Sequence, residues 1–144
     1  MRNKKYDFYI AAPFFNNDQI TRVELVKALL ENKNLTYFSP KDHSAVKDIN
    51  DPENRKKVFA LNHESIDSSK MVIAITDGKD PGTIWEAGYA YAKNIPVIYV
   101  AFTLGKEGQF NLMLAESGKA ACRTVDELKA AIDGQEIYFE GNIE

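Results

Sequence analysis

The chain has 144 residues and a formal net charge of −3, and 44% of its residues are hydrophobic, enough for one real core in a single domain spanning 1–144. Its basic residues are scattered (Arg2, Lys4 and Lys5, then Arg55, Lys56 and Lys57), which argues against a nucleic-acid grip built on clustered cations. The one cysteine, Cys122, excludes an internal disulfide. With two well-separated histidines, a Cys/His zinc site is not expected either.

Tyr6–Ala12 reads as a strand from its aromatic and β-branched content, ended by Pro13. Asp18 can cap a helix through Glu31, with Ile20, Val23, Val26, Leu29 and Leu30 near helical spacing. Leu35–Phe38 is a short strand, and Lys41–Asp51 a polar, irregular loop. Pro52 suits the first turn of a second helix to Ser68, with Val58, Leu61, Ser65 and Ile66 inward. Met71–Thr76 is continuously apolar, as in a parallel strand covered on both faces.

A turn of Asp77, Gly78, Lys79, Asp80 and Pro81 follows, then a helix over Thr83–Asn94. Ala87, Ala90 and Tyr91 are expected inward there, with Gly88 and Ala92 permitting close packing. Pro96–Phe102 is a further buried strand, Gln109–Glu116 a short helix, Ala120–Arg123 a strand and Thr124–Ile132 a helix. Glu136–Phe139 is an extended tail. Strands alternating with helices predict an α/β, doubly wound, five-stranded parallel sheet of the flavodoxin-like (Rossmann-like) class, with helices on both faces. No apolar run approaches the ~20 residues of a membrane span, and no signal-peptide pattern opens the chain, so a soluble cytoplasmic protein is expected.

Several residues could carry chemistry. Phe14 and Phe15, beyond the first strand, either stack on a flat ligand or cover the end of the sheet. No Gly-x-Gly-x-x-Gly or P-loop accompanies them. Tyr9 is either a core tyrosine or the partner of a carboxylate in the cleft. Glu86 is expected in the first helical turn or so, where the helix dipole favours its ionised form. Asp80 is expected at the cleft mouth. Both carboxylates also have ordinary readings, as a turn residue and a first-turn glutamate. Against these, the apolar neighbours of Glu86 imply a buried helix, in which a glutamate needs a partner or a purpose.

Together these pieces resemble the nucleoside 2-deoxyribosyltransferase family. The resemblance is carried by Tyr9 with Ala11, Ala12, Pro13, Phe14 and Phe15, then by the block from Asp80 to Ala90. Asn111, Leu112 and Met113 follow, and last Phe139, Glu140 and Gly141. It implies transfer of 2-deoxyribose from a 2′-deoxynucleoside to another free nucleobase, as in nucleoside salvage. The route would be a covalent deoxyribosyl ester on Glu86, with retention at C1′. Asp80 would contact the base and donate a proton, Tyr9 would orient Glu86, and Phe14, Phe15 and Gly82 would line the substrate site. Asn111 and Met113 would complete a neighbouring subunit's site in a dimer or hexamer, and Glu144 would reach the sugar. Asn62 stands where many members present an aspartate toward the sugar, and His43 is a further candidate base contact. No metal or cofactor is implied. The alternatives are a deoxynucleoside 5′-monophosphate N-glycosidase, which would want a phosphate cradle after the first strand, and a module that senses nucleosides without turning them over.

Overall fold

The computed structural model describes residues 3–43 and 48–144. Arg2 and positions 44–47 of the expected irregular loop lie outside the described residues. The strands are β1 (Tyr6–Ala11), β2 (Tyr37–Phe38), β3 (Ser69–Ile75), β4 (Val97–Val100), β5 (Gln109–Phe110), β6 (Ala120–Cys122) and β7 (Asn142–Ile143). The helices are α1 (Asn17–Asn32), α2 (Pro52–Asp67), α3 (Pro81–Ala92), α4 (Leu112–Ser117) and α5 (Val125–Ile132). Five strands form one parallel sheet in the order β2-β1-β3-β4-β6, with β1 and β3 side by side at the centre. The order is that of the doubly wound, flavodoxin-like class expected from the alternation of strands and helices, an alternation that by itself leaves strand order open, and ligands bind such sheets outside the carboxyl ends of the strands.

Strand residues alternate between two cores, because side chains of a strand point to opposite faces. Phe8, Ile10, Ile73, Ile75, Ile98 and Val100 meet Val23, Val26, Leu29 and Leu30 of α1 and Leu128 and Ala131 of α5. Tyr9, Ala11, Val72, Ala74, Val97 and Tyr99 meet Ile66 of α2, Ala87 and Ala90 of α3 and Ala115 of α4. Tyr9 therefore points to the side that carries α3. Register places it opposite Phe38 on one neighbour and Val72 on the other. Among the described residues, no helix is long and apolar enough to cross a membrane.

Four expectations need correction. Asn16, and not Asp18, caps α1. On α2, Leu61 is exposed, as are Gly88, Tyr91 and Ala92 on α3. Ala87 and Ala90 are small enough to bring α3 close to the sheet by themselves, so the apolar stripe is narrower than its sequence suggests. The segment 109–116 is not one helix. Gln109–Phe110 pairs with β7 as a separate two-stranded sheet, and Asn111 caps α4 behind it. The third helix starts at Pro81 rather than Thr83, with Asp80 as its cap.

Asp77 ties the end of β3 to the loop after β4. It is buried, and its carboxylate accepts from the amides of Phe102 (3.1 Å) and Thr103 (2.7 Å) and from the Thr103 hydroxyl (2.6 Å). This clamp holds in place the turn that leads to Asp80. Replacing Asp77 by alanine strands two amides, each worth ~1–3 kcal/mol when left unpaired. Chemical denaturation of Asp77→Ala should show a loss of about 2–4 kcal/mol.

Candidate active site

Asp80 and Pro81 start α3 in a way that places both carboxylates. Pro81 occupies the first helical position, where its missing N–H costs nothing. The Asp80 carboxylate caps the helix, its Oδ2 accepting from the Thr83 amide (2.9 Å) and hydroxyl (3.0 Å). Gly82 keeps this approach open, since a Cβ there would lie 3.3 Å from Asp80 Oδ2. With the helix starting at Pro81, Glu86 falls in its second turn. That is beyond the reach of the dipole expected to keep it ionised, because the effect fades within the first turn.

Burial dominates instead. It pushes the Glu86 carboxyl up to about 7, the Tyr9 hydrogen bond opposes the rise, and the nearby Asp80 charge adds to it. Tyr9 is fully buried and donates its hydroxyl to Glu86 Oε2. The two readings of Tyr9 are thus both true: its ring is core and its hydroxyl holds a carboxylate. Burial beside Glu86 raises the Tyr9 hydroxyl far above its ordinary value, so it stays a donor. Among the described residues no buried side-chain oxygen lacks a partner, and Glu86 Oε1 has none, so Oε1 reaches open space.

That space is a cavity of about 750 Å³ outside the carboxyl ends of β1 and β3. Phe14 and Phe15 form one wall, stacked on each other at 5.6 Å. Asp80, Gly82 and Glu86 line it from the segment after β3, and Asn62 of α2 is also in the lining, its side-chain amide unpartnered among the described residues. His43 also lines it, stacked at 4.3 Å on Phe38, which in turn stacks on Tyr9 at 5.6 Å. The ring group Phe59, His63, Trp85 and Tyr89 stands on α2 and α3, with Phe59, His63 and Trp85 among the lining. Sequence reading missed it, although the four-residue spacings of Phe59 to His63 and Trp85 to Tyr89 place each pair on one helical face.

Asn111, Met113 and Glu144 lie elsewhere. They border a second cavity of about 440 Å³, together with Asp77, Lys79 and Phe110, and the two cavities share no lining residue. Met113 is 72% exposed. Asn111 Oδ1 caps α4 by accepting from the amides of Met113 (2.9 Å) and Leu114 (3.3 Å), which leaves Nδ2 as the outward donor. The Glu144 carboxylate pairs with Lys79 at 2.8 Å. Within one chain, then, eight of the candidate residues converge and three do not.

Fold and site together define a doubly wound α/β protein with a tyrosine-held carboxylate facing an apolar, ring-lined cavity. The family model of nucleoside 2-deoxyribosyltransferases matches residues 8–121, which include every candidate residue except Glu144. The chain belongs to the nucleoside 2-deoxyribosyltransferase family. A 2-deoxyribosyltransferase from the psychrotolerant bacterium Bacillus psychrosaccharolyticus superposes with a TM-score of 0.76 at 28% identity, covering 87% of this chain and 94% of that one. A conserved protein from Enterococcus faecalis shares the fold, with a TM-score of 0.73 at 21% identity over 88% of this chain and 96% of its own. No curated protein matches the chain.

The raised Glu86 carboxyl has a stability consequence. The folded chain holds that proton more tightly than the unfolded one, whose carboxyl titrates near 4.5. Glu86 therefore contributes stability fully below pH 4.5 and loses it as the pH climbs through about 7. Glu86→Gln should be more stable than the parent at pH 8, by on the order of 1–3 kcal/mol. Thermal unfolding at both pH values should show that advantage shrinking by pH 5.

Proposed function

We propose that this chain transfers 2-deoxyribose from a 2′-deoxynucleoside to a second free nucleobase, a reaction suited to nucleoside salvage. The observation that carries the proposal is Glu86, with one carboxylate oxygen held by Tyr9 and the other facing an apolar cavity. Family membership and the likeness to a 2-deoxyribosyltransferase support the same reading.

In the first step Glu86 Oε1 attacks C1′. The bond from C1′ to the base nitrogen breaks, its electron pair leaves with the base, and an ester joins C1′ to Glu86. Asp80, ionised in the free chain, relays a proton from solvent water to the departing nitrogen. Its Oδ2 is engaged in capping α3, so Oδ1 is the atom that meets the base. In the second step a new base attacks the same carbon from the face the first one left, its proton returns through Asp80 to solvent and Glu86 is released. Two inversions give net retention. Proton and charge balance without a metal or cofactor.

Phe14 and Phe15 stack on the base, and Gly82 lets it approach Asp80. Asn62 holds a sugar hydroxyl as donor or acceptor but carries no proton between groups. Asn111 and Met113, exposed and outside their own chain's Glu86 cavity, complete the cavity of a neighbouring subunit, with Asn111 Nδ2 donating to a sugar oxygen. Glu144 lies beside them. The enzyme would then be a homo-oligomer built from such pairs.

Among the described residues no lysine or arginine lines the Glu86 cavity, and Pro13 removes an amide from the loop after β1. Both favour an unphosphorylated nucleoside over a nucleoside monophosphate. Incubation with one deoxynucleoside and a different free base should yield a new deoxynucleoside, and Glu86→Ala should abolish it. Release of deoxyribose to water with no new nucleoside would overturn the transfer reading, and undiminished nucleoside binding without turnover would point to a sensor. For the transfer reaction, kcat/KM should rise with pH through about 7 as Glu86 ionises. In Tyr9→Phe the carboxyl loses the bond that opposes desolvation. The midpoint should then move above 7 and the rate at neutral pH should fall.

A further inference from the structure

Asn111 stands between a two-residue strand, β5, and a six-residue helix, α4, of which Met113 is the second residue. Neither element is long enough to hold its own geometry in water. The order comes from residues 142–144. β7 lies parallel to β5, Asn142 opposite Gln109 and Ile143 opposite Phe110. Two backbone bonds then straddle Asn111. The Glu144 amide donates to the Phe110 carbonyl at 3.0 Å, and the Leu112 amide donates to the Glu144 main-chain oxygen at 2.9 Å. The Asn111 backbone is fixed from both sides while its Oδ1 caps α4, which sets the direction in which Nδ2 points. Phe110 anchors this unit in the core by packing on Phe139 at 5.2 Å. The Glu144 side chain extends it to Lys79, the residue before Asp80.

We propose that the segment Asn142–Glu144 is a positioning element that acts in trans: it holds Asn111 and Met113 in place for the Glu86 cavity of the neighbouring subunit. The proposal rests on the reading above in which those two residues complete a neighbour's site. A chain lacking the segment keeps its own Tyr9, Asp80 and Glu86 and offers its partner a misplaced Asn111. It is deficient as a donor and intact as an acceptor.

Complementation reads this directly. A chain ending at Gly141 should fold, since neither core includes residues 142–144. By itself it should lose about 10²-fold in kcat/KM, the scale of a small misplacement of a substrate-holding group. Glu86→Ala alone should be inactive. Co-expressed in equal amounts, the two should recover about a quarter of parental activity, because half of the two-fold pairs are mixed and each mixed pair has one whole site. Glu144→Pro, which removes the amide donating to Phe110 and the Lys79 ion pair and restricts the backbone at Ile143, should behave like the shortened chain and serves if that chain does not fold.

Parental kcat/KM in both the shortened chain and Glu144→Pro would overturn the proposal. So would the absence of recovery in the mixture. Asn111→Ala mixed with Glu86→Ala separates the two levels. If that mixture recovers activity and the shortened chain does not, the positioning role fails while the shared site stands. If neither recovers, the shared site fails as well.

Discussion

Everything in this site depends on the hydrogen bond from Tyr9 to Glu86. A glutamate on the inner side of α3, against the sheet, suffers desolvation that favours its neutral form, and a neutral carboxyl is a poor nucleophile. The tyrosine hydroxyl opposes that loss at one oxygen and leaves the other free. Its own ring is fixed by the sheet, with Phe38 stacked on one side and the strand register on both. The direction of the bond is therefore set by β1 and not by a loop. Building the carboxylate's partner into the central strand gives a geometry that cannot relax without disturbing the core.

The compromise appears in the Glu86 carboxyl, which settles at about 7. Full solvation would return it to the ordinary carboxylate range. Complete burial without Tyr9 would leave it protonated at neutral pH. Asp80 sits on the same helix under the opposite conditions, half-exposed and capped by amide and hydroxyl donors. Two carboxylates six residues apart thus have different environments, one buried beside Tyr9 and the other capping a helix at the edge of the cavity.

Much of this was legible in the residues. The continuous apolar strands around Ile73 and Ile98 marked a sheet covered on both faces, and Pro52 marked the start of α2 correctly. Tyr9, Asp80 and Glu86 were legible as a set because they recur together in a family pattern, not because any one is distinctive. Other features left no readable trace. Asp77 looks like any turn aspartate, and only the distant amides of Phe102 and Thr103 turn it into a clamp. Pro81 read as a turn residue, which hid the true start of α3 and put Glu86 two residues closer to the start of the helix than it is. Leu61 and Tyr91 have the apolar character of core residues, yet periodicity does not reveal which apolar flank of a helix meets the sheet. Pairing of β5 with β7 joins two-residue segments far apart in the chain, below the length at which alternation can be seen.

The claim that Glu86 bonds to the sugar is open to direct measurement. The protein would be incubated with a 2′-deoxynucleoside in the absence of any acceptor base, quenched in acid, digested and examined by mass spectrometry. The account predicts a deoxyribosyl group on the peptide containing Glu86, absent from Glu86→Gln and discharged when a free base is added before quenching. An unmodified Glu86 peptide in protein that still exchanges bases, or an adduct on another residue, would contradict it.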